Sequence, residues 1–260
     1  MFKRIAMKTI FIDETRLKTT SLLAAAALLL PFAAAFAANA PETEEGFVSL
    51  FDGKTLEGWK IGKNANTFSV HDGVIVMDYP AGDQGPAHLF YDGPVGNHSF
   101  KNFLLKVDVM TSPYANSGIY FHTEYQESEW PRKGLECQVD NSHSDWRRTG
   151  SLYGIKHITW GPEKPPANTK EDIIRLDKAP VTDNVWYTQE VIYQDGSITV
   201  KLDGKTVLEY QMPEAGVEHK LPSGSTWLPR GTFCLQGHPP MAGKGSKACF
   251  KNIRVKILPD

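Results

Sequence analysis

Two short runs hold most of the residues whose types and spacing could do chemistry. In the first, Asn116, Gly118, Tyr120 and His122 fall on one parity, with Ile119 and Phe121 on the other. In the second, Glu136, Gln138 and Asp140 alternate with Leu135, Cys137 and Val139. Side chains on a strand point to opposite faces with a period of two. Each run therefore turns an apolar face to a core and gathers its hydrogen-bonding and ionisable groups on the reverse. A solvated sheet face carries Lys, Thr and Ser; a face of Asn, Tyr, His, Glu, Gln and Asp reads instead as a polar cleft. Its chemistry would be proton transfer, with His122 and His238 as groups that titrate near neutral pH. Gln236 lies two positions before His238 and shares its face if the strand extends that far. For each histidine the alternative is a hydrogen-bonded structural role. His71, His88, His98, His143, His157 and His219 lie in turns or unplaced segments and read as structural. His122, Glu136, Asp140 and His238 could also converge on a divalent metal ion, although no compact ligand motif such as HExxH is present.

Strands must position these faces, and from Gly46 onward nearly every segment reads as a short strand or a turn. FVSLFDGKTLEGW opens with a strand-like piece, then a turn at Asp52-Gly53 and Trp59. TFSVHDGVIVMD places two apolar runs around Asp72-Gly73, a hairpin signature. NFLLKVDVM puts Phe103, Leu105, Val107 and Val109 on one side, as a half-buried antiparallel strand requires. VWYTQEVIYQDGSITVKLDGKTVLEY predicts a meander that turns at Asp195-Gly196 and Asp203-Gly204. GTFCLQGH and ACFKNIRVKIL close the chain. In the latter, Phe250 breaks the alternation of Ile253, Val255 and Ile257, which predicts a bulge near Asn252. No long run holds a 3.6-residue period, and no Gly-rich phosphate loop joins a strand to a helix. Many short strands with close turns predict a β-sandwich or barrel in one domain. Trp160 to Pro180 reads as a long irregular loop with one helical turn around Asp172–Leu176. Pro239–Lys247 reads as an excursion between the last two strands.

The 260 residues suffice for a substantial core, and a net charge of −2 without a long basic run argues against a nucleic-acid partner. The first forty residues are not part of the predicted fold. Lys3, Arg4, Lys8, Arg16 and Lys18 precede the apolar run Ser21–Ala37, which closes in small residues suited to a signal peptidase. The run is Ala-rich, interrupted by Pro31, and shorter than the roughly 20 apolar residues of a membrane span. Residues 1–40 thus read as signal peptide and leader, residues 41–260 as the folded domain, and the mature chain as exported without a membrane span. Either Met1 or Met7 serves as the start. Three cysteines, Cys137, Cys234 and Cys249, do not describe a disulfide framework and read as buried thiols. Of the tryptophans, Trp130 and Trp146 flank the Glu136 run and are the candidate sugar-stacking platforms.

The segments LFDGKTLEGW, NSGIYF, GLECQVD, LDGKTVLEY, GTFCLQGH and FKNIRVKIL, in that order, resemble the 3-keto-disaccharide hydrolase family over essentially the whole of residues 41–260. The resemblance implies a concanavalin A-like jelly-roll β-sandwich. It also implies periplasmic or secreted action on glycosides whose sugar a partner oxidoreductase has oxidised at C3. The chain departs from the family pattern at His122, where Arg often stands, at Lys251 in place of Arg, and in the Pro239–Lys247 excursion.

A 3-keto glycoside sets definite demands. The C3 carbonyl acidifies the C2 proton, whose loss expels the C1 substituent by β-elimination, and water then adds to the unsaturated sugar. The protein must supply a base near C2, an acid near the glycosidic oxygen and a donor or cation at the enolate oxygen. On the resemblance, Glu136 is the candidate base and Asp140 a second catalytic acid; His122 and His238, as side chains that titrate near neutral pH, are the further catalytic candidates. On an extended strand Glu136 and Asp140 stand roughly 13 Å apart at about 3.3 Å per residue. That exceeds the roughly 5–9.5 Å of ordinary glycosidase carboxylates, so the two acids have separate tasks. Asn116, Tyr120, Gln138 and Gln236 are candidates for binding sugar hydroxyls, and Lys156, after RTGSLYG, is a candidate electrostatic stabiliser. A non-catalytic sugar-binding sandwich and an ordinary glycoside hydrolase are the competing readings.

Overall fold

The Asp-Gly pairs and the alternating runs become turns and strands of a β-sandwich. The computed structural model describes residues 44–79, 85–170 and 172–260; the segment 1–40 read above as signal peptide and leader lies outside them. In chain order the strands are β1 (Val48–Ser49), β2 (Trp59–Ile61), β3 (Phe68–His71), β4 (Val74–Asp78), β5 (Ala87–Tyr91) and β6 (Phe103–Thr111). They continue with β7 (Ser117–Thr123), β8 (Leu135–Val139), β9 (Lys156–Thr159), β10 (Asp172–Arg175), β11 (Tyr187–Gln194) and β12 (Ser197–Leu202). The last are β13 (Lys205–Gln211), β14 (His219–Lys220), β15 (Thr226–Trp227), β16 (Thr232–Gly237) and β17 (Lys247–Ile257).

One sheet has eight strands in the order β13-β12-β11-β6-β17-β4-β3, with β1 paired to β17; the other has five, in the order β2-β5-β16-β7-β8. The predicted hairpins form at the predicted turns. Asp72 and Gly73 (φ 48° and 81°), Asp195 and Gly196 (48° and 93°), and Asp203 and Gly204 (48° and 75°) all adopt left-handed backbone. Two consecutive positive φ values define the type I′ turn whose twist matches its strands. The expected bulge is also present: the β17–β6 register shifts between Lys251 and Arg254, with Asn252 at φ 49°.

The core lies between the two sheets. Phe103, Leu105, Val107 and Val109 on β6 share one buried cluster with Ile119, Phe121, Leu135, Cys137 and Val139 from the smaller sheet. Each such side chain contributes about 1.5–3 kcal/mol on full burial, so this alternation holds the polar reverse face of β7 and β8 in register. Gln189 of β11 crosses the core and donates to Cys137 Sγ (3.0 Å) and the Gln138 carbonyl (3.3 Å), fixing β8 from behind. All three cysteines are buried free thiols.

One local expectation fails. Asp172–Arg175 is not a helical turn; it is β10, a strand paired in parallel with β9. Adjacent Ile173 and Ile174, both β-branched, suit the extended state better than a single isolated turn of helix.

Candidate active site

The outer face of the five-stranded sheet carries the polar residues in two rows. Pairing aligns Phe90, Cys234, Tyr120 and Glu136 across β5, β16, β7 and β8. The neighbouring row pairs His88 with Gln236 and Gly118 with Gln138. A cavity of about 540 Å³ opens above them, lined by Asn116, Tyr120, Glu136, Gln138, Gln236, His238 and Trp130, among others. Seven of the eleven sequence-derived site residues therefore meet in one place.

Glu136 is the most constrained of them. The Tyr120 hydroxyl donates to its Oε2 at 2.7 Å. In the amide orientation that satisfies both ends, Gln138 Nε2 donates to Glu136 Oε1 (2.7 Å) and to the Ser117 carbonyl (3.1 Å). Gln236 Nε2 in turn donates to the Tyr120 hydroxyl at 3.3 Å. Burial raises the Glu136 carboxyl to about 7, against the lowering effect of Tyr120 and Gln236; Asp145 adds to the rise and Arg147 opposes it. A carboxylate held at that value is a stronger base than an ordinary one and exchanges a proton near neutral pH. Two acceptors around it, Asn116 Oδ1 and Gln236 Oε1, are buried without a protein partner. Both suit the hydroxyl donors of a bound sugar.

His238 closes one side. Its Nδ1 lies 2.8 Å from the Pro239 carbonyl, which can only accept, so the proton sits on Nδ1 and Nε2 keeps its lone pair in the neutral ring. Burial lowers its pKa, against the raising effects of the Pro239 carbonyl and Asp145. Trp130, 42 % exposed, stands against His238 (ring centroids 5.2 Å) and against His88 (5.8 Å). The rest of its surface lies open at the cavity wall.

Four predicted site residues lie elsewhere. His122 does not face the cleft. Its φ is 52°, and the β7–β16 register slips between Thr232 and Cys234, so two residues of β7 oppose one of β16. That bulge reverses the parity expected from the sequence and turns His122 into the core. There its ring packs on Trp227 and Tyr193, each at 4.5 Å between centroids. Its nitrogens lie 2.7 Å and 2.9 Å from the Leu228 and Lys101 carbonyls, yet burial dominates and lowers its pKa to about 4.

Asp140, just past the end of β8, is fully buried and does not line the cavity. It accepts from Arg148 Nη1 (3.1 Å) and the His143 backbone N–H (2.9 Å), and burial pushes its carboxyl up to about 8 although Arg148 opposes. Arg148 also donates to the His143 and Asp145 carbonyls (2.7 Å and 2.5 Å). Asp140 therefore anchors the loop that brings Asp145 to the cavity. Lys156 is committed to an ion pair with Asp172 (3.0 Å) and does not reach the cavity. Trp146 is buried edge-on against His157 (5.0 Å) with Arg147 over its ring (4.7 Å).

The four residues read as converging on a divalent ion consequently do not converge. Among the described residues no group of three His, Cys, Asp or Glu side chains is arranged to hold one.

Several contributors had no signal in the sequence. Asp145, Arg132, Tyr153 and Ser225 line the cavity from loops. His88, read as structural, is buried at 6.0 Å from the Tyr120 ring, with burial lowering its pKa to about 3. His143 packs at 5.5 Å from His238.

Residues 46–256 match the 3-keto-alpha-glucoside-1,2-lyase-like domain. A curated 3-keto-disaccharide hydrolase from Bacteroides thetaiotaomicron is 33% identical over 256 residues, covering 84% of this chain and 80% of the relative. The chain belongs to this family of carbohydrate-active, glycoside-cleaving enzymes. The crystal structure of a candidate glycosyl hydrolase from Parabacteroides distasonis has the same fold. Its TM-score is 0.55 at 24% identity, over 83% of this chain and 95% of that one.

Proposed function

We propose that this protein cleaves 3-keto-glycosides, 3-keto-disaccharides among them, by removing the C2 proton and expelling the C1 substituent. The observation that carries this reading is Glu136, buried in the cleft between two donors with its carboxyl raised to about 7. Glu136 takes the proton from C2, and the electron pair of that C–H bond passes into the enolate of the C3 ketone. Collapse of the enolate forms the C1=C2 bond and breaks the bond from C1 to the glycosidic oxygen. That oxygen leaves with its electron pair and takes the proton that Glu136 has just accepted; His238, whose Nε2 carries a lone pair, accepts a hydrogen bond from the sugar or the incoming water. Addition of water across C1=C2 returns hydrogen to C2 and places hydroxyl on C1, so the net reaction is hydrolysis. Asn116 and Gln236 orient the sugar through their unpartnered acceptors, and Trp130 carries its apolar face.

Two further features belong to the same reading. An oxidoreductase acting at C3 supplies the substrate. The Lys- and Arg-led apolar leader directs the protein out of the cytoplasm, to the periplasm or medium.

The test offers one glycoside in its native and its 3-keto form, with the 3-keto reaction repeated in heavy water. Turnover of the 3-keto form alone, with solvent deuterium at C2 of the product, is expected. Product that keeps its original C2 proton would mean direct displacement at C1, and equal turnover of both forms would mean an ordinary glycosidase. Binding without turnover, unchanged by Glu136→Gln, would mean a sugar-binding module.

A further inference from the structure

We infer that Gly118 is the positioning residue for Glu136: its missing side chain is the space in which the Glu136 carboxyl group lies. A Cβ added at Gly118 would stand 2.3 Å from Glu136 Oε1, 2.7 Å from its Cγ and 2.8 Å from its Cδ. Real Cβ atoms essentially never stand that close to another heavy atom, so a side chain at position 118 forces a shift, and the three nearest atoms all belong to the Glu136 side chain. The backbone gives no competing reason for glycine. Gly118 lies within β7, paired with Gln138, and is not among the positive-φ residues. Any residue adopts that conformation, and in a strand interior glycine costs backbone entropy while packing nothing.

The register explains the arrangement. Tyr120 stands directly opposite Glu136, and Gly118 opposite Gln138. The Glu136 side chain leans along the diagonal onto Gly118. From there one carboxyl oxygen meets the Tyr120 hydroxyl and the other the Gln138 amide. Fill position 118 and the carboxyl moves outward, away from both donors and toward water.

The inference rests on the reading of Glu136 as the base only where it concerns activity, so the experiment has a part that uses no substrate. Gly118→Ala is made alone and in a Glu136→Ala background, and thermal stability is measured for all four proteins. In the presence of Glu136, the Gly118→Ala change is expected to lower the melting temperature by several degrees. With Glu136 truncated, the same change is expected to be neutral or stabilising, because alanine restricts the unfolded chain more than glycine does. An equal loss in both backgrounds would overturn the inference. If Gly118→Ala alone does not fold, the comparison of Glu136→Ala with the double variant still decides it.

The second readout is the pH profile of kcat/KM for a 3-keto glucoside. Gly118→Ala should lose about 100-fold, the scale of a misplaced reacting group. Its acidic limb should move to lower pH as the displaced carboxyl regains water. Glu136→Asp, one methylene shorter, should restore part of that loss when combined with Gly118→Ala. Wild-type activity and an unmoved limb in Gly118→Ala would also overturn the inference. Full activity in Glu136→Gln would instead sink the base assignment and leave the stability comparison standing.

Discussion

Tyr120 and Glu136 face each other across β7 and β8, and the Tyr120 hydroxyl donates to Glu136 Oε2 at 2.7 Å. The pair joins two opposed effects. Burial raises the carboxyl, while the hydroxyl holds it down and fixes the direction of its free lone pairs. Without burial the carboxylate would be a weak base. Without the donor it would stay protonated at neutral pH.

Tyr120→Phe removes the lowering partner, so the Glu136 carboxyl should rise further. A hydrogen bond to a charged group contributes about 1.5–3 kcal/mol. The acidic limb of kcat/KM should therefore move up by roughly one pH unit or more. A limb that stays in place or moves down would show that Glu136 does not set it.

Glu136→Gln keeps the shape and one donor–acceptor pair but cannot take a proton. Removing a general base typically costs about 10²–10⁴-fold, so kcat should fall by that order while the folded circular dichroism spectrum is retained. C2-deuterated substrate should turn over more slowly in the wild type wherever proton removal limits the rate.

The same variant tests the electrostatics through stability. A carboxyl raised from 4.5 to about 7 on folding binds its proton more tightly in the folded state. Its contribution is fullest below the unfolded value and is lost as pH rises through about 7. In urea titrations, Glu136→Gln should gain on the wild type as pH rises across that window, by at most about 3 kcal/mol. A gap that is flat across it would mean that the carboxyl is not raised.

His122→Arg, which places there the residue expected from the family resemblance, should destabilise this protein and leave substrate preference alone. The ring is enclosed by Trp227, Tyr193 and Phe103. A guanidinium there has no acidic partner in contact, at a cost above about 3 kcal/mol. An unchanged denaturation midpoint would place His122 outside the core.

Trp130→Ala should raise KM with little change in kcat or melting temperature, since the ring is 42 % exposed. Loss of one aromatic contact worth about 0.5–1.5 kcal/mol corresponds to a change of roughly two- to tenfold. An unaltered KM would remove Trp130 from the binding surface.

Much of this protein is legible in its sequence because the physics involved is local. Alternation along NFLLKVDVM determines the buried face of β6. The Asp-Gly pairs determine the hairpin turns, since adjacent left-handed residues are tolerated there at little cost. The parity of Glu136 and Gln138 determines that both face the cleft. What only the tertiary structure decides depends on partners distant in the chain. The parity of His122 follows from a bulge against β16, more than a hundred residues away, and no periodicity within NSGIYFH records it. Asp140 has the composition of a catalytic acid but is claimed by Arg148 once the loop folds back. Lys156 is likewise claimed by Asp172 across the parallel pair of β9 and β10. The raised carboxyl of Glu136 belongs to neither strand alone. It exists because neighbouring strands of the five-stranded sheet and the loops around the cavity together remove water from a group that its sequence neighbours would leave solvated.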